Sequence, residues 1–149
     1  MTSRSLLAGC FLAVCLTAAV AHAGGSVQVA EAETPPTVAA WTKKALKEDV
    51  EHRLEGGASS APENYTVLPR LVELRSDAGG DSKEVLRVCI VELTLLADKD
   101  GRIVARTRGR ASSEGASERE VLQGAAQAAT GRLASTLAAL ARAPRVATR

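Results

Sequence analysis

The feature that most constrains this 149-residue chain is the stretch "LRVCIVELTLLADKDGRIVARTRGRAS" at residues 86–112. Its first half is almost continuously apolar, and its second half alternates small or apolar residues with arginine. Between them, Asp98-Lys99-Asp100-Gly101 suits a type I turn with Gly101 left-handed, the three-residue hairpin loop that carries a glycine bulge. The turn predicts the register. Setting Asp98 opposite Arg102 places Ala97 against Ile103, Leu95 against Ala105, Leu93 against Thr107, Val91 against Gly109 and Cys89 against Ala111 on one face. The other face then pairs Thr94 with Arg106, Glu92 with Arg108 and Ile90 with Arg110. A slip of one residue would set Arg106 and Arg108 against Leu93 and Val91, which the pleat penalises. One face is therefore expected to enter the core. The other is expected to carry the arginines, with Glu92 as a single opposing charge.

The segments around the hairpin supply the remaining elements. Residues 24–36, "GGSVQVAEAETPP", show no sustained period and read as a flexible lead. Thr37 is placed to cap a helix in which Val38, Trp41, Ala45, Leu46, Val50 and Leu54 recur at helical spacing, with Gly56-Gly57 as its stop. "YTVLPRLVELR" reads as a strand, and Pro69, which has no N–H to donate, predicts an edge position or a bulge there. After the hairpin, Ser117-Glu118-Arg119-Glu120 has capping-box spacing and opens a long alanine-rich helix. Its apolar stripe is Leu122, Ala125, Ala126, Ala129, Leu133, Leu137 and Leu140, and Pro144 ends it. The expected fold is α+β: a small antiparallel three-stranded meander packed against an N-terminal helix and a long C-terminal one, all within residues 37–142. Residues 143–149 are expected to form a disordered basic tail.

The first 23 residues combine Arg4, an apolar run from Leu6 to about Val20, and Ala21-His22-Ala23, which is the pattern of a secretory signal peptide cut before Gly24. The alternative is a lipoprotein anchored at Cys10, since Leu7-Ala8-Gly9-Cys10 has the shape of a lipid-attachment box. Too few apolar residues precede that cysteine for a full hydrophobic region. Arg4 is the leader's one Lys or Arg, so the 19 Lys+Arg of the whole chain fall to 18 against 17 Asp+Glu after cleavage. A nearly neutral chain lacks the global charge for holding nucleic acid. Cleavage also removes Cys10, Cys15 and Phe11. Cys89 then has no internal disulfide partner, and only Trp41 and Tyr65 remain for stacking on flat ligands. The expected location is periplasmic or secreted, with no transmembrane helix after signal removal.

No HExxH, CxxC, GxSxG, Walker A or GxGxxG pattern occurs. His52 lies on the polar side of its helix, between Glu51 and Arg53, without convergent partners in sequence reach. "DKDGRI" overlaps the middle of a calcium loop, but alignment puts Leu96 and Thr107 where the terminal acidic ligands belong. No catalytic residue, cofactor or metal site is predicted. Cys89, on the core face, is expected to be a buried small hydrophobe rather than a reactive thiol. The candidate binding residues are Arg106, Arg108, Arg110 and Glu92.

Helix, strand, a hairpin containing "LADKDGRIVA" and an alanine-rich helix together resemble small bacterial envelope domains. These are the amino-terminal domain of the Tol-system translocation protein, the outer-membrane lipoprotein activators of penicillin-binding proteins and the curli-export lipoprotein. The resemblance spans about residues 37–141 and implies docking to other envelope components without catalysis. The chain is expected to depart from those families in lacking a convincing lipid-attachment cysteine and an attached propeller or export module. The expected role is thus an interaction module binding an envelope protein or an anionic polymer through the arginine face. Two other readings are a structural component of an envelope assembly and a small hydrolase with scattered acids such as Glu73, Glu92 and Asp77.

Overall fold

The structure, a computed structural model, describes residues 24–55, 61–78 and 84–143. In chain order these form β1 (Val27–Val29), α1 (Ala40–Glu55), β2 (Tyr65–Ala78), β3 (Val85–Ala97), β4 (Ile103–Glu114) and α2 (Glu118–Arg142). The sheet has four strands in the order β1-β2-β3-β4, with β1 parallel to β2 and the remaining pairs antiparallel. Three antiparallel strands were expected, and the difference lies in the supposed flexible lead, whose Val27–Val29 pair with Tyr65–Val67. Three residues are too short for a period-two signal.

The added strand changes the reading of Pro69. β2 is interior over its first half, and its bulge falls between Leu71 and Glu73, with Val72 as the extra residue. Pro69 is accommodated by the edge chain instead. The Ala30 N–H donates to the Val67 carbonyl and the Glu33 N–H to the Pro69 carbonyl, so the edge chain takes one extra residue where Pro69 has no N–H to give.

The hairpin register holds from Cys89–Ala111 to Leu95–Ala105 as the turn chemistry predicts. Nearer the turn it differs. Leu96, not Ala97, faces Ile103, and the Ala97 N–H donates to the Arg102 carbonyl. Gly101 is left-handed with φ 68°, but the loop is one residue longer than expected, and a bulge at Val104 restores the register. Two acidic side chains favour the longer loop: Asp98 accepts from the Thr66 hydroxyl at 2.7 Å and Asp100 from the Arg102 N–H at 3.1 Å.

Both helices pack on one side of the sheet, α1 over β1 and β2, α2 over β3 and β4, and they also touch each other. The core between them holds Leu46, Val50, Tyr65, Val67, Leu71, Cys89, Val91, Leu93, Leu95, Leu122, Ala125, Ala129 and Leu133. α1 starts three residues after the expected cap at Thr37, because Pro35 and Pro36 set a turn closed by Val38 N–H to the Pro35 carbonyl. Its buried stripe is Thr42, Ala45, Leu46, Val50 and Leu54, which leaves Trp41, expected to face the core, 40% exposed. α2 begins with the predicted capping box: the Ser117 hydroxyl accepts from the Glu120 N–H, and the Glu120 carboxylate accepts from the Ser117 N–H. Gly109 is where α2 comes closest, since a Cβ there would lie 2.0 Å from the Ala125 carbonyl oxygen. The leader with its cleavage site and Cys10, the Gly56-Gly57 stop, Pro144 and all of the expected basic tail except Ala143 lie outside the described residues.

Candidate interaction face

Because α1 and α2 share one side, no described helix covers the opposite face of the sheet. Strand alternation and the bulges at Val72 and Val104 decide what projects there. From β4 come Arg106, Arg108 and Arg110, all exposed, at a period that spaces them about 7 Å apart. From β3, Thr94, Glu92 and Ile90 stand directly opposite them, and from β2, Leu68, Arg70 and Glu73 complete the rows. The structure thus brings together all four residues singled out from the sequence.

Their electrostatics are not uniform. Arg108 donates from Nη2 to Glu92 Oε2 at 2.9 Å, and Glu92 is largely buried, at 17% side-chain exposure. Arg106 and Arg110 make no ion pair with any described residue. On the β2 side, Arg75 lies between Glu73 at 3.1 Å and Asp77 at 3.0 Å, so that flank is internally neutralised. The free positive charge is concentrated on β4. The β4 backbone is also partly sealed, because Arg132 of α2 donates to the outward-facing Arg108 carbonyl, which hinders strand addition at mid-edge.

The acids considered for hydrolysis, Glu73, Asp77 and Glu92, each pair with an arginine. His52 is exposed on α1, and no described group of three His, Cys, Asp or Glu side chains could hold a metal ion. Cys89 has no exposed surface; burial, with a smaller contribution from the Glu73 charge, pushes its thiol up to about 12.

Sequence reasoning missed the floor of this face. Leu68, Ile90 and Leu96 are half-buried, and Val88 is only 2% exposed, yet none of them belongs to the core or packs against it. The signal was present in β3, whose nearly unbroken apolar run is what a strand with two apolar faces looks like.

No family model matches the chain, and no curated protein matches it. Solved structures do. The PelC dodecamer from Paraburkholderia phytofirmans superposes with a TM-score of 0.55 at 16% identity, covering 72% of this chain and 86% of that one. Protein XCC0632 of the DUF330 family, from Xanthomonas campestris, gives 0.55 at 18% identity, covering 77% and 85%. Lipoprotein GNA1162 from Neisseria meningitidis gives 0.52 at 7% identity, covering 74% and 99%. The chain therefore shares with these proteins an α+β fold in which two helices back one face of a small sheet. At these identities the likeness extends to the fold alone. The resemblance to the Tol, penicillin-binding-protein activator and curli-export families still rests on element order and the hairpin turn.

Proposed function

We propose that this chain is an exported, non-catalytic interaction module of the bacterial cell envelope, which binds an envelope protein or an anionic polymer through the outer face of its sheet. One observation carries this reading: with both helices on the other side, the outer face presents Arg106 and Arg110, which make no ion pair with any described residue. Exposed ion pairs contribute only about 0–1 kcal/mol, so fold stability does not account for a row of three arginines. Guanidinium groups on a rigid strand suit paired hydrogen bonds to carboxylates or phosphates. Fold neighbours described as lipoproteins, GNA1162 and the minor lipoprotein of Acinetobacter baumannii, support an envelope location. Among the described residues no helix is long and apolar enough to cross a membrane. Export would then follow from cleavage between Ala23 and Gly24, with anchoring at Cys10 as the alternative.

Capture from envelope extract by the mature chain, compared with Arg106→Glu/Arg110→Glu, tests this. Arg108 is left intact because reversing it would set two carboxylates against each other at Glu92. Wild type should retain a component that elutes with salt and that the double variant does not retain; equal retention by both would refute the reading.

A second reading, a structural subunit of a larger envelope assembly, is favoured by the fold neighbour described as a dodecamer. Light scattering on the purified mature chain distinguishes it, since a self-assembling subunit would show a multiple of the monomer mass.

A further inference from the structure

The outer face has two chemistries side by side. On the outer face of β3, Leu96 at one end and Ile90 with the buried Val88 at the other are separated by Thr94 and Glu92, Leu68 stands on β2 opposite Thr94, and Arg106 and Arg110 border the face on β4. Two apolar patches on the side away from the core, bridged by Thr94 and the Arg108-paired Glu92, make the sheet a middle layer, with α1 and α2 on one side and no described element on the other. Resting on the function proposed above, we infer that the partner is a protein, docking as an amphipathic helix. Its apolar side chains lie on Leu68, Ile90 and Leu96, and its flanking carboxylates reach Arg106 and Arg110.

Charge complementarity selects the acidic flank, since Arg106 and Arg110 on one border make no ion pair with any described residue, whereas Arg70, Arg75 and Arg108 are paired. The two apolar patches select a protein over a polymer. A polyanionic saccharide or nucleic acid could satisfy the guanidinium groups but would leave Leu68, Ile90 and Leu96 without apolar contact. The flat bases of a nucleic acid would also lack a platform, because Trp41 is on α1 and Tyr65 is buried in the core. Arg106 and Arg110 are four residues apart, about 13 Å along the strand, a distance covered by two to three turns of helix. The packing would mirror that of α2 on the core side, with the difference that this helix arrives from another molecule.

Fluorescence anisotropy of the mature chain with three labelled probes tests the inference. They are a leucine-faced helical peptide flanked by glutamates, a polyglutamate carrying the same number of carboxylates, and polygalacturonate. The helical peptide should bind at least about tenfold tighter than polyglutamate, Ile90→Asn should remove that margin, and Arg106→Glu/Arg110→Glu should weaken both. Leu68→Asn serves in place of Ile90→Asn if circular dichroism shows that the latter is unfolded. Equal affinity for all three probes, insensitive to the apolar substitution but lost on arginine reversal, would overturn the helix inference and leave the polymer form of the proposed function standing. Failure of the helical peptide to bind also overturns the inference. Binding of every probe unchanged by arginine reversal would bring down the proposed function as well.

Discussion

Cys89 and Ile90 are neighbours on β3 and stand in opposite surroundings. Cys89 points into the space between sheet and helices, has no exposed surface, and faces Leu74 and Ala111 across the ladders. Ile90 points the other way, half-buried between Glu73 and Arg110, with no described helix above it. One side of the strand is closed by packing, and the other has apolar floor and charge but no described element above it. Stability and binding therefore reside on opposite faces of the same sheet, and substitutions should separate them.

The largest effect is expected at the closest approach on the core side. Gly109→Ala would put a Cβ 2.0 Å from the Ala125 carbonyl oxygen and 2.5 Å from the Ala129 nitrogen, both helix backbone. The helix must move, at a cost of about 3 kcal/mol or more and a loss of roughly 10 °C in thermal midpoint. An unchanged midpoint would mean that α2 does not seat on β4 as described.

A matched pair of truncations sharpens the contrast. Leu93→Ala, on the closed side with no exposed surface, should lose about 2–5 kcal/mol in denaturant unfolding. Leu68→Ala, half-buried on the open side, should lose about 1 kcal/mol or less. Equal losses would mean that something covers the outer face of the free protein.

Cys89→Ala should cost about 1 kcal/mol, as removal of a small buried group does. With the thiol pushed up to about 12, labelling of native Cys89 should stay slow from pH 7 to 9, a range in which an exposed thiol, ionising near about 8.5, speeds up. Rapid labelling or a disulfide-linked dimer on a non-reducing gel would remove Cys89 from the core.

The smallest effect lies at the start of α2. Hydrogen bonds from the Ser117 N–H and hydroxyl lower the Glu120 pKa from its ordinary value, so the contribution is present above the unfolded-state pKa and is lost as pH falls through the folded one. Unfolding midpoints of wild type and Glu120→Ala should therefore differ at pH 7 and converge below about pH 4. A constant gap across that range would rule out the carboxylate as its source.

The two faces were also unequally legible in the sequence. Turn chemistry at Asp98–Gly101 and alternation in β4 were enough to assign seven cross-strand pairs, the burial of Cys89 and the placing of the three arginines with Glu92. What escaped had short or cancelling signals. β1 is three residues long and draws its pairing from β2, more than thirty residues away in sequence. The loop grew by one residue because Asp98 found Thr66 on a different strand, a contact that local turn rules cannot see. Ile90 and Leu96 were present in the apolar run of β3, but a face already assigned to arginine was expected to be solvated.

The most direct test of a sheet with one closed and one available face places a thiol at each of two adjacent positions. Native Cys89 is compared with Ile90→Cys in a Cys89→Ala background, first alone and then with the partner captured by the wild-type chain. The thiol at position 90 should label at least about tenfold faster than Cys89 in the free protein and become protected in the complex, while Cys89 stays slow in both. A thiol at position 90 that is as slow as Cys89 when free, or as fast in the complex as out of it, would contradict the account.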